Sequence, residues 1–187
     1  MATPVAAPLA RAVRQNAHLA WIKQFALNTY HINVDAVEPL FIPLYQGGGG
    51  GLYMKSTEKP IGFTAWLQGA KDALGPKRKS EADGKERGKV IFVRELAPKA
   101  KTDEEVKVMW IMWHEMGHAV GDRSTPRNVS EPFAYKFEYA SLTAAYNAGV
   151  LAGWNIGKAD LKAFYAIRKN DTEDSAERQA FETLVNT

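Results

Sequence analysis

The stretch from Thr102 to Gly121 constrains this chain more than any other. Thr102 and Glu105 form a capping box, and Asp103, Glu104 and Glu105 put negative charge in the first turn, where the helix dipole favours it. Met109-Trp-Ile-Met-Trp113 follows, apolar on every side, so the spacing predicts a helix that runs through the middle of the protein and stops at Gly121. Into that helix the sequence inserts His114-Glu-Met-Gly-His118. Polar groups so placed are costly to bury unless they are paired or metal-bound.

Two His four residues apart project from one helical face and can share one zinc ion, while Glu115 between them reaches a water on that ion. With four His in 187 residues, random shuffling produces this pattern in roughly six chains in a thousand, before asking that it fall on a buried helix. The chain has no cysteine, which excludes a disulfide framework and thiolate-held zinc or iron–sulfur sites, so a metal must be held by His and carboxylates.

A catalytic zinc takes three protein ligands and leaves one position for water, so a third ligand is needed. A metzincin would carry it six residues after His118, where this chain has Ser124. Three candidates remain. Asp122 lies on the turn leaving the helix; Glu131 and Glu138 lie on a second helix expected after Ser130, with Pro132 in its first turn, and are spaced seven apart so that both can face one way.

The segment Glu131-Pro-Phe-Ala-Tyr-Lys-Phe137, together with His114-Glu-Met-Gly-His-Ala-Val120, resembles the gluzincin class of zinc metallopeptidases, and within it the group of the anthrax lethal factor catalytic domain and the Pro-Pro endopeptidases. About 25 of the 187 residues carry the resemblance, none of them before Lys89. It implies an α+β zincin-like domain with a small mixed sheet packed on the central helix. It also implies Zn2+ held by His114, His118 and Glu131, with Phe133, Ala134 and Phe137 packed on the central helix and Glu138 behind the ligands or at the surface. Glu115 would be the general base of a metalloendopeptidase acting on a protein or peptide. That group has a tyrosine about seven residues ahead of the ligand glutamate, thought to steady the oxyanion. Here the position is Ser124, so Tyr135, Tyr139 or Arg127 would take that task, or the enzyme would work without it. In zincins the substrate lies extended along a strand, which makes 90–95 the candidate docking strand. A zincin-fold binding or structural protein with a non-catalytic zinc, part of a larger assembly, is the second reading; the retained Glu115 speaks against it.

Elsewhere, Leu9, Val13, Ala17, Trp21 and Phe25 recur at steps of four and predict a helix over 9–28. Tyr30, Ile32 and Val34 alternate as in a strand, 40–45 reads as a second strand that Pro39 and Pro43 push to a sheet edge, and 89–96 as a third. Gly47 to Gly51 is a loop or hinge, and lacks the Lys-Ser/Thr that closes a phosphate loop. Helices are expected over 63–74, 158–169 and 172–185, and 76–88 as a charged excursion. One domain follows: a flexible 1–8, a helix and sheet part to residue 100, and a zinc-binding helical part over 101–187.

Trp110 and Trp113 flank the first ligand and suit core packing better than a substrate cleft; His18 and His31 receive no role. Between residues 71 and 101 ten Lys/Arg face five Asp/Glu, but no aromatic residues interleave the charges between Lys77 and Lys89, so a nucleic-acid surface is not expected. No signal peptide and no apolar run of about 18 residues are visible, so the chain reads as soluble, without a membrane span, and cytoplasmic or exported by a signal-independent route.

Overall fold

The computed structural model describes residues 7–42, 51–53, 90–94, 102–170 and 174–187. They form helix α1 (Ala7–Tyr30), strands β1 (Glu38–Ile42), β2 (Gly51–Tyr53) and β3 (Val90–Arg94), and helices α2 (Thr102–Arg123), α3 (Glu131–Asn147), α4 (Val150–Gly153), α5 (Lys158–Arg168) and α6 (Ala176–Asn186). The described part is thus mostly helical, with one three-stranded sheet in the order β1-β3-β2. β1 runs parallel to β3 and β2 antiparallel to it, with Leu40 and Leu52 both registered on Phe92. No described helix is long and apolar enough to cross a membrane.

The apolar run does what its composition demands. Met109, Trp110, Met112, Trp113, Met116, Ala119 and Val120 are all buried, and α2 passes between α1, α3 and the sheet. Trp113 stacks on Trp21 of α1 at 5.0 Å between ring centroids and meets the edge of Trp154 at 6.2 Å, while Trp110 lies 3.9 Å from Phe164. Both tryptophans are therefore core residues. Tyr139 of α3 joins Phe164, Tyr165 and Phe181 in a second aromatic layer.

Two glycines set how closely α3 and its leading turn approach α2. A Cβ on Gly117 would stand 2.9 Å from Ala134 Cα and 3.1 Å from Phe137 Cβ, so the helices touch there backbone to backbone. At Gly121 a Cβ would fall 1.6 Å from the Asn128 carbonyl oxygen. The helix does not stop at Gly121, as its sequence suggested, but continues to Arg123. The glycine is needed because residues 124–130 fold back over it: the Gly121 carbonyl accepts from Ser124 N–H at 3.2 Å and from Asn128 N–H at 2.9 Å. Gly121→Ala should destabilise the protein by more than the about 1–3 kcal/mol usual for overpacking, because the clash is with backbone. A thermal midpoint lowered by less than about 2 °C would show that the turn yields freely.

The turn then delivers α3 with its cap in place. Ser130 is extended (φ −71°, ψ 153°), its hydroxyl accepts from Phe133 N–H, and Pro132 sits in the first turn.

Two strand expectations change. Tyr30 ends α1 rather than opening a strand, and His31 takes a left-handed conformation (φ 58°) with its N–H on the Leu27 carbonyl, a helix C-terminal cap with His where Gly is usual. Ile32 and Val34 follow as irregular chain, and Val34 and Val37 are buried from that loop, which accounts for the apolar alternation. Residues 90–94 form the strand expected there, but as the middle of the sheet. Pro39 lies in β1, at an edge. Gly51 begins β2; Gly47 to Gly50, the helix expected over 63–74, the excursion 76–88 and residues 1–6 lie outside the described residues.

Candidate metal centre

Helix α2 places His114 and His118 one turn apart on the face turned to α3, both buried, with ring centroids 5.0 Å apart. The close approach at Gly117 and Ala134 brings the first residue of α3, Glu131, over both rings. His114 Nε2 lies 3.1 Å from Glu131 Oε2, and His118 Nε2 lies 3.3 Å from Glu131 Oε1. Ligand atoms of these three residues fall within 4.8 Å of one another.

The outer ring nitrogens decide what sits inside. His118 Nδ1 lies 3.0 Å from the Val129 carbonyl, an oxygen that can only accept, so Nδ1 carries the hydrogen and donates it. In the neutral ring, Nε2 then presents a lone pair to the Glu131 carboxylate. His114 repeats the problem, since Nδ1 donates to Glu138 Oε2 at 3.2 Å and Nε2 faces Glu131. Lone pair against carboxylate is repulsive unless a cation lies between them. A proton on an Nε2 relieves that ring alone, whereas one metal ion between them satisfies both, and a zinc with ligands at about 2.0–2.1 Å in a tetrahedron would hold neighbouring ligand atoms about 3.3 Å apart, close to what is found.

The support for the rings has the form expected around a metal, in which each ligating His donates its other N–H to a carboxylate or a carbonyl. Glu138 is 1% exposed and behind His114 rather than at the surface. Its Oε1 meets no hydrogen-bond donor among the described residues, so the carboxylate depends on the imidazole. Glu131, by contrast, has a side chain 66% exposed, which opens the centre to solvent on one side.

Without a metal, His114 takes up a proton between Glu131 and Glu138. Burial pulls the His114 pKa down, but the hydrogen bonds that its ring donates to Glu131 and Glu138 and the charges of Glu138 and Glu115 outweigh it and raise it from 6.5 to about 9. A pKa raised on folding contributes stability that is complete below pH 6.5 and is lost as pH rises through about 9. The chelated protein should accordingly lose thermal stability between those values. A midpoint that stays flat across the interval would contradict a charged His114 between the two glutamates.

Of the other sequence candidates, Asp122 forms an ion pair with Arg127 and does not join the three ligand residues. Glu115 is buried beside His114, near enough for its charge to act on that ring. Tyr139 belongs to the buried aromatic layer against Phe164, Tyr165 and Phe181. The Ser124 hydroxyl is spent on the Gly121 and Pro126 carbonyls. Tyr135 packs its ring 4.6 Å from that of His114. Residues 90–94 cannot dock an extended substrate by backbone pairing, because β3 is bonded on both sides, to β1 and to β2. His18 is buried against Trp154 at 4.2 Å, and His31 caps α1, both away from the three ligand residues.

Sequence reasoning missed the Val129 carbonyl, and no side-chain pattern could have revealed a backbone acceptor. The placing of Glu138 behind His114 was signalled by its spacing of seven from Glu131. No family model, curated protein or solved structure matches this chain.

Proposed function

We propose that the protein is a zincin-like, zinc-dependent metallopeptidase that hydrolyses peptide bonds of a protein or peptide. The observation that carries this reading is the convergence of His114 Nε2, His118 Nε2 and Glu131 on one point, each ring fixed from behind, with Glu115 beside them on the same helix. The likeness of the two motifs to the gluzincins supports it.

His114, His118 and Glu131 would hold the zinc, and Glu138 and Val129 would keep both rings turned toward it. A bound zinc supplies a water with its pKa brought towards 7 and a polarised scissile carbonyl. Glu115 would serve as the general base for that water and carry the proton to the leaving amine. Tyr135 is the remaining candidate to steady the carbonyl oxygen, since Tyr139 lies in the core and Arg127 is paired with Asp122. With β3 in the middle of the sheet, β2 takes its place as the candidate docking edge. It lies against α2, and among the described residues it pairs on one side only.

Zinc loading of metal-free protein should give one equivalent, and the loaded protein should cleave a denatured protein in a chelator-sensitive way. One tightly held equivalent without hydrolysis would favour the structural reading of the site. No stoichiometric zinc would remove both.

A further inference from the structure

Arg168 closes α5 with its guanidinium carbon 5.5 Å from the ring centre of Tyr135 and 5.9 Å from that of Phe164. The Tyr135 ring in turn lies 4.6 Å from that of His114. These separations put the guanidinium no more than about 10 Å from the first ligand ring, within three residues of an extended peptide at about 3.3 Å per residue. The side chain is half-buried, and no carboxylate among the described residues forms an ion pair with it. Aromatic faces engage the flat side of a guanidinium and leave its edge N–H groups, the fork that matches a carboxylate, unused.

Glu115, Glu131 and Glu138 together outweigh a divalent ion, so a substrate carboxylate close by would be repelled unless a cation offsets them, and the Arg168 guanidinium is near enough to do so.

We infer that Arg168, laid over Tyr135, is a specificity-determining residue that selects substrates bearing a carboxylate within about three residues of the scissile bond. The carboxylate comes from an acidic side chain or from a free C-terminus. The inference rests on the metallopeptidase reading.

The test uses short peptide hydroxamates, whose hydroxamate group anchors the ligand on zinc. They are made in pairs that differ by Glu against Gln at each of three positions; a matched set places a free or an amidated C-terminus at the same distances. Binding to the zinc-loaded full chain is measured by calorimetry, without turnover. The wild type should favour the acid of one pair by about tenfold. Arg168→Gln should lose that preference while binding the neutral peptides as before, and Arg168→Lys, which keeps the charge without the fork, should retain part of it. Which set shows the effect identifies the source of the carboxylate. Equal binding of acid and amide by the wild type, or an unchanged preference in Arg168→Gln, would overturn the inference and leave the metal reading standing. Failure of every hydroxamate to bind would overturn the metal reading and this inference with it.

Discussion

Glu131→Ala should weaken zinc binding by orders of magnitude, whereas Glu138→Ala should cost only the about 10- to 100-fold typical of a residue that orients a ligand. The two glutamates lie on one face of α3, and both contact His114, so proximity alone does not separate them. What separates them is which nitrogen they face. Glu131 approaches the Nε2 atoms of both rings, and its loss leaves two ligands and an open side. Glu138 holds only His114 Nδ1, and its loss leaves three ligands with one ring poorly steered. Glu138→Gln is the finer variant, because an amide oxygen still accepts from Nδ1 and should preserve most of the affinity. Competition with a chromogenic chelator measures all three. A larger loss at Glu138 than at Glu131 would mean that the metal sits on the opposite side of His114.

Glu115→Gln should keep the zinc and the fold and lose hydrolysis by about 10²–10⁴-fold, the usual contribution of a positioned general base. Gln occupies nearly the same volume in a buried position, so the packing of α2 is preserved while the capacity to accept a proton is removed. Zinc stoichiometry and thermal midpoint should match the wild type when loaded. Retained turnover would take Glu115 out of the chemistry and leave the metal centre as the only source of activation.

The helical half was legible because its signals are local. Ser130 with Pro132 announces α3, and the run Met109 to Trp113 has no exposed face to offer, so α2 had to be central. The candidate metal group was legible in part: the four-residue spacing put His114 and His118 on one face, while spacing left Glu131 and Glu138 both open and only the likeness to the gluzincins favoured Glu131. The sheet was less so. The β-branched run at 90–94 marks a strand but carries no record of its neighbours, and strand order depends on pairing between residues far apart in the chain, such as Tyr53 with Ile91 and Glu38 with Val90. The alternation from Tyr30 to Val34 misled for a related reason. A loop that plugs a core with Val34 and Val37 writes the same apolar pattern as a strand, and only the left-handed turn at His31 separates them. Gly121 read as a stop, yet its lack of a side chain serves a contact with Asn128, which no one-dimensional pattern encodes.

The helices that carry His114, His118 and Glu131 are each anchored to other helices by apolar contacts independent of any ion: both to α1, through Trp113 on Trp21 and Phe137 on Phe25, and α3 also to α6, through Tyr139 on Phe181. Small domains whose only adhesive is zinc collapse when it is removed. On the metallopeptidase reading, the metal-free protein should therefore stay folded and take up its ion through the side where Glu131 meets water. Occupancy would then follow the free zinc of the surroundings. Such a protein would stay folded and inactive where zinc is scarce and become competent on loading, with no refolding in between.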